Sequence, residues 1–393
     1  MELTGYFEKI DTDLKNKVES VCIVASTFSD QVDIDGRFPE EAVTEAKKHR
    51  LLSAVLSKEY NGLNCSLADL VYICEKFGSA CGSFGLIYAM HQTQLLTLYF
   101  AHEESDYMQA FTSEMVENQL LIASATTEFG TGGDIGRSIA APELDSTGKL
   151  TVEKKCPVLS YGTHADVILA TLRADKNSSE NNQIFALLKK EDFTFNPQSS
   201  WNSLGMRGTC SYGGTLNAHF KPDQVLKGNA NQLISNYMSP LSHILWSSVW
   251  CGVASSAVSK ASNYLKKDKT NTKFNHFGTG QLAKTYEKFC VLRSHILHHT
   301  LSYSNWLSAN DMVNKPKVAR RSMESLIAIN GLKVSASELA QEICLECMSV
   351  CGIQGYMNEG DSSLSREIRD ALSAPVMVNN ERIMAFNAEL ISL

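Results

Sequence analysis

Apolar residues recur at spacings of three and four from about Leu14 to His102, as at Leu67, Leu70, Val71 and Cys74, which predicts a bundle of amphipathic helices. Around Leu120 the period changes. Short β-prone runs at 120–125, 167–172 and 183–188 are separated by clusters of Gly, Asn, Ser and Asp, so strands are expected as far as about Leu226. After Asn229 the helical period returns over 234–266, 281–307 and 318–348, stretches too long to be strands. The polar segment 266–273 reads as a loop between two of them. The order of helices, strands and helices is not the alternation of a parallel α/β fold. It divides the chain into units at 1–118, 119–227 and 228–393, with no internal repeat.

Length and composition narrow the class. A chain of 393 residues, 44% apolar with 8 Pro, can bury a large core. A formal charge of -7 and a pI near 5.8 argue against nucleic acid as a partner, since such binders carry a basic face. The first ten residues hold Glu2 and Glu8 and no signal-peptide core, and no run of 18 apolar residues occurs. A cytoplasmic protein with no membrane span is expected. Its 11 Cys are scattered, which fits reduced core thiols better than a disulfide framework.

The richest segment chemically is Thr126-Thr127-Glu128-Phe129-Gly130-Thr131-Gly132-Gly133-Asp134, after a strand-like run. Its glycines let backbone N–H groups approach an anionic or ring-shaped ligand. A dinucleotide fingerprint fails, because the third glycine of that spacing falls on Ile135, and a P-loop fails for want of Gly-Lys-Ser/Thr. A plain tight turn is the alternative reading.

The segment resembles the T-E-P-G-x-G-S-D signature of acyl-CoA dehydrogenases, with Phe129 and Gly133 in place of the usual Pro and Ser. The likeness continues in order. Residues 155–166 resemble the family's strand before the flavin, Leu204-Gly-Met-Arg207-Gly-Thr209 its L-G-x-R-x-S/T turn, and Gly352-Ile-Gln-Gly-Tyr356 with Arg369-Asp370-Ala371 its G-G-x-G-Y and R-D-A succession. The resemblance implies a mainly α protein with a central β domain: an N-terminal helical domain, a β-barrel-like middle domain and a C-terminal four-helix bundle. It also implies FAD as cofactor, an acyl-CoA or acyl-carrier-protein thioester as partner, and a homodimer or homotetramer. By the same likeness Thr127 contacts the flavin pyrimidine edge, Ser160 its N5, Gly132 its glycine-rich turn, and Arg207 the substrate. Local backbone hydrogen bonding is the alternative for both hydroxyls.

Family dehydrogenases remove an α-proton with a Glu. Carried onto this chain, that position falls on Val378, and the alternative helical position, counted from Gly252, falls on Leu245. Glu381 lies three residues off and reads as a solvated helix residue. The flavin contacts lent by a neighbouring subunit also diverge: Phe277 and Gly278 are kept, the pyrophosphate Arg corresponds to Phe274 with Lys273 alongside, and Q-x-x-G-G becomes Ser349-Val-Cys-Gly352-Ile353. Fewer phosphate donors imply weaker FAD, or FMN, or a loosely held flavin.

Other side chains offer chemistry by type. His91, on an apolar helix, and His243 are candidate acids or bases, with a satisfied core histidine as the alternative for His91. Trp246 and Trp250, four apart, line an acyl tunnel or pack the bundle. His295, His298 and His299 lack the further ligands a metal requires, so no metal is expected, and Cys344 and Cys347 read as core. The leading expectation is a flavin oxidoreductase dehydrogenating an acyl or aminoacyl thioester with a relocated base. A reduced-flavin-dependent monooxygenase of the same fold comes next, and a non-catalytic binding subunit third.

Overall fold

The computed structural model describes residues 9–100, 106–226, 228–267, 272–309 and 321–392, leaving out the side chains of 272–277 and 309. Among the described residues five α-helices come first: α1 (Thr12–Asp35), α2 (Glu40–Lys48), α3 (Leu67–Ala80), α4 (Gly82–Phe100) and α5 (Asp106–Asn118). Gly36 closes α1 in the left-handed conformation at φ 61°. Ser66 and Asp69 form a reciprocal capping box that starts α3. The α4 sequence is apolar on nearly every side, and the helix is buried along most of its length.

Seven strands follow: β1 (Ile122–Ala125), β2 (Glu143–Leu144), β3 (Leu150–Leu159), β4 (Val167–Arg173), β5 (Gln183–Lys189), β6 (Phe193–Pro197) and β7 (Tyr212–Phe220). They form two sheets, β1-β4-β5 and β2-β3-β7-β6, with β1 parallel to β4 and the other pairs antiparallel. The barrel-like expectation for this unit is thereby refined to paired sheets. Buried Lys154 of β3 joins them, because its ammonium donates to the Thr171 carbonyl of β4 at 2.8 Å and to Glu128 at 3.1 Å. A bulge between Cys156 and Leu159, where Pro157 offers no N–H to the ladder, shifts the register of β3 on β7 just before Ser160, and Leu159 still pairs with Tyr212.

The chain then returns to helix: α6 (Ala230–Leu233), a π-helical turn (Ile234–Met238), α7 (Ser239–Lys267), α8 (Thr272–Ala309), α9 (Met323–Cys351), α10 (Ile353–Tyr356), α11 (Ser365–Leu372) and α12 (Asn380–Ser392). The loop expected over 266–273 is shorter than predicted. Lys266 and Lys267 end α7, where Lys267 pairs with Asp361, and α8 begins at Thr272. Among the described residues no helix is long and apolar enough to cross a membrane, and no cluster of three His, Cys, Asp or Glu could hold a metal ion. All 11 Cys are free thiols.

The helical units meet at glycines. A Cβ at Gly252 of α7 would lie 2.1 Å from the Glu75 carbonyl oxygen of α3, and one at Gly78 of α3 would lie 2.3 Å from the Val249 carbonyl oxygen. Backbone therefore touches backbone. Beside the crossing, Glu75 receives both ends of the Arg293 fork from α8, a buried bidentate pair. Gly252→Ala should cost roughly 3 kcal/mol, at the upper end for overpacking. Gly331→Ala, on α9 with open space around its Cβ, should instead gain about 0.5–1 kcal/mol. Urea unfolding of the two variants decides the matter; a Gly252→Ala midpoint equal to wild type would show that α3 and α7 are free to part.

Candidate active site

One cleft of about 380 Å³ opens between the sheets and the helices. The β side contributes Val158 and Ser160 from the end of β3, the loop from Trp201 to Met206, and Thr209 and Ser211. Opposite stand Leu86 of α4, Arg369 and Leu372 of α11, and Ser373, Val376 and Met377 of the turn before α12. No carboxylate or imidazole is among these lining residues.

The polar part of the wall is a chain of hydroxyls. Ser160 Oγ lies 2.8 Å from Ser211 Oγ, which lies 2.8 Å from Thr209 Oγ1, and Thr209 donates to the Met206 carbonyl at 2.9 Å. A carbonyl only accepts, so the last step fixes the others: Ser211 donates to Thr209 and Ser160 donates to Ser211. Ser160 therefore turns lone pairs toward the cleft.

The floor is made by two segments locked together. Met206, left-handed at φ 50°, gives its N–H to the buried Asp370 carboxylate at 2.6 Å, while Trp201 Nε1 donates to its carbonyl at 3.2 Å. A Cβ at Gly205 would lie 2.0 Å from the Arg369 carbonyl oxygen, and the Gly208 N–H donates to Ser83 Oγ at 3.1 Å. Burial pushes the Asp370 carboxyl up to about 7, against the opposing pull of the Met206 N–H and Arg366. Arg369, although it lines the cleft, spends its fork on Asp33 at 2.9 Å and on the Leu204 carbonyl at 3.1 Å.

Buried Lys333 of α9 holds the turn before α12. Its ammonium donates to the carbonyls of Ala374 at 3.0 Å and Val378 at 2.8 Å, and to Asn380 Oδ1 at 2.7 Å. Desolvation lowers it to about 7, against the opposing pull of Glu338. Val378, held at φ 47°, is 44% exposed, Leu245 is fully buried, and Glu381 is exposed in the first turn of α12.

The glycine-rich turn leaves the same wall. Thr127 Oγ1 donates to the Val158 carbonyl at 3.1 Å, and Glu128 folds inward to accept the N–H groups of Ile139 and Ala140 and the Lys154 ammonium. Gly130, Gly132 and Gly133 all have positive φ, at 94°, 62° and 80°. These are values that side-chain-bearing residues avoid.

Several expected site residues lie elsewhere. His91 is fully buried, with Nε2 donating to the Leu52 carbonyl at 2.7 Å and Nδ1 accepting from Ile122 N–H at 3.0 Å. Both nitrogens are engaged and burial lowers it to about 4, so His91 ties α4 to β1 as a neutral ring rather than serving the cleft as an acid or base. His243 is also neutral, lowered to about 3 by burial and then by Lys333 and Arg321, and it does not line the cleft. Arg207 points away, donating to the carbonyls of Asp33 at 2.7 Å and Ser203 at 2.9 Å, so it pins the floor to α1 instead of reaching substrate. Trp246 packs within the bundle, its indole N–H without a partner among the described residues, and Gly352 ends α9 at φ 59°. The side chains of Lys273 and Phe277 lie outside the described residues. His295 and His299 face each other at 3.0 Å between their Nε2 atoms, and Cys344 and Cys347 are buried thiols pushed up by desolvation.

Sequence reasoning passed over Asp370, Lys333, Thr209 and Ser211. Asp370 and Thr209 lie inside the segments singled out, but only their contact across the floor reveals what they hold.

Residues 24–106 match the model of the acyl-CoA dehydrogenase N-terminal domain and residues 242–378 that of its C-terminal domain. The Bacillus subtilis protein named "Probable acyl-CoA dehydrogenase YngJ" is 23% identical over 351 residues, covering 87% of each chain. Among solved structures, FMN-bound TdsC, a dibenzothiophene monooxygenase from Paenibacillus sp. A11-2, superposes with a TM-score of 0.83 at 14% identity over 97% of both chains. Butyryl-CoA dehydrogenase from Megasphaera elsdenii gives 0.80 at 15% identity over 98% of this chain and 99% of its own.

The Asp370 site carries a pH signature. Its folded value exceeds that of an unfolded aspartate, about 3.9, so the native state holds this proton longer and loses stability as pH rises from about 4 to about 7, with no further loss above. Asp370→Asn does not titrate there. Its stability relative to wild type should therefore grow across that window in urea titrations. Parallel curves for the two proteins would remove the proton from Asp370.

Proposed function

Because the chain belongs to the acyl-CoA dehydrogenase superfamily of flavin oxidoreductases, we propose that it is a reduced-flavin-dependent monooxygenase acting on an apolar molecule. The observation that carries this reading is the cleft wall, which combines hydroxyls, apolar side chains and a committed arginine with no group able to remove an α-proton. A bound reduced flavin would supply the two electrons by which O2 delivers one oxygen atom to the substrate and releases the other as water. The protein's own tasks are then to seat the ring, exclude water and orient the substrate.

The cleft suits a flavin ring. Leu86, Leu372, Val376 and Met377 give it apolar faces, and Ser160 supplies one directed polar contact at its edge. Because Ser160 donates inward to Ser211, it offers the ring an acceptor. An acceptor favours the reduced ring, the form that carries a hydrogen at N5. Ser160→Ala should therefore lower the midpoint potential of the bound flavin in a spectroelectrochemical titration, and an unmoved potential would take Ser160 out of the site.

A competing reading, α,β-dehydrogenation of an acyl thioester, is favoured by the family models that match both helical units. It requires a carboxylate with a free oxygen at the cleft. Asp370 stands behind the floor with Oδ1 held by Met206. Anaerobic mixing of flavin-loaded protein with a panel of acyl-CoA and acyl-carrier-protein thioesters separates the two. The monooxygenase reading predicts no bleaching of flavin absorbance, and oxygenated product from small apolar substrates only when a flavin reductase and O2 are supplied. Bleaching by any thioester in the absence of O2 would overturn it.

A further inference from the structure

Three hydroxyls stand in file along the cleft wall. Ser160 is partly exposed, while Ser211 and Thr209, next along the file, are buried. Neighbouring oxygens are 2.8 Å apart at both steps, the length of a direct O–H···O bond, so one proton lies in each gap. At the far end the Met206 carbonyl accepts from Thr209 at 2.9 Å and from Trp201 Nε1 at 3.2 Å, which occupies both of its lone pairs. The file is anchored there.

Each hydroxyl has one proton to give, and this limits the alternatives. Turning the Ser160 proton toward the cleft would empty the gap to Ser211 or, if Ser211 gave its own proton back to Ser160, the gap to Thr209. Two oxygens would then face each other at 2.8 Å with lone pairs only, in a wall that offers Ser211 no other partner among the described residues. Two buried side chains thus keep one partly exposed oxygen in the accepting sense.

An accepting oxygen discriminates between the two states of a flavin ring. After uptake of two electrons and a proton the ring edge carries an N–H, which Ser160 can accept; before it, the same atom holds a lone pair, which Ser160 meets with its own. We infer that Ser211 and Thr209 are positioning residues for the redox bias of a bound ring: they act through Ser160, which without them would donate to the oxidised ring instead. This rests on the flavin occupancy of the proposed function, which assigns Ser160 the contact and gives the other two no part.

The test is a spectroelectrochemical titration of flavin-loaded protein, with electrons supplied by the electrode through mediator dyes, and it needs no substrate. Ser160→Ala removes one bond to the reduced ring, a roughly fivefold loss of preference over the oxidised one, or about 20 mV. Ser211→Ala removes that bond and adds an opposing one, because the Ser160 proton, left without an acceptor, turns to the ring. The loss is then roughly twenty-fivefold, or about 40 mV, in the same downward direction. Thr209→Val should follow Ser211→Ala, and Thr209→Ser, which keeps a donor to Met206, should recover most of the wild-type potential.

Combining Ser160→Ala with Ser211→Ala should give the potential of Ser160→Ala alone, since the second change has nothing left to act through. A side chain that merely supported the fold would move the potential equally with or without Ser160. A Ser211→Ala potential no lower than that of Ser160→Ala, or additive shifts in the double variant, overturns the inference while the proposed function stands. Wild-type protein that holds no flavin overturns both.

Discussion

The contact on which the rest depends is the backbone crossing of α3 and α7 at Gly78 and Gly252. Approaches of 2.1 and 2.3 Å from ideal Cβ positions to carbonyl oxygens leave no room for a methyl group, so the N-terminal helices sit directly on the C-terminal bundle. That closeness brings Arg293 of α8 within reach of Glu75, where a bidentate bond satisfies both charges away from water. It also fixes α4, which follows α3 after a single residue and carries Leu86 to the cleft. A wider crossing would move one cleft wall away from the other.

Given that frame, the cleft is held by groups that never face it. Asp370 fixes the Met206 N–H, Lys333 fixes two carbonyls of the turn before α12 and the side chain of Asn380 that opens it, and Lys154 with Glu128 fixes the root of the glycine-rich turn. Each is a buried polar group whose partners are mostly backbone. Desolvation makes each costly if a partner is lost, and that is why they define position well. The geometry of irregular segments is thus set by side chains on regular ones.

Much of the fold is legible in the sequence because periodicity reports burial. The runs at 167–172 and 183–188 became β4 and β5, and the long apolar periods became α7, α8 and α9. Of the segments in order along the chain, those at Ser160, 204–209 and Arg369 supply the cleft wall, whereas 352–356 follows the end of α9 and does not line it. Side-chain direction was less legible. His91 and Arg207 have the right chemistry for an active site, but His91 lies on a helix buried on nearly all sides and Arg207 in a loop whose left-handed residues turn it toward α1. Residue type and spacing do not encode which way a loop side chain faces. Lys333 escaped notice for a related reason: a lysine in a helical period normally signals a solvated face, and only the tertiary structure shows three acceptors gathered around it.

The hydroxyl chain shows how little polarity such a cleft requires. Its direction is set at the far end, where the Met206 carbonyl can only accept, and it passes through Thr209 and Ser211 to leave Ser160 as an acceptor. A hydroxyl that can in isolation give or take a hydrogen bond is thereby confined to taking. Ser203 and Ser373, which also line the cleft, spend their protons on the Gly205 and Asp370 carbonyls, and Arg369 is committed to Asp33. A wall built this way offers hydroxyls, apolar side chains and a committed arginine, with no carboxylate or imidazole among its described lining residues. Chemistry here must come from what the protein binds, and the walls decide which molecule meets it.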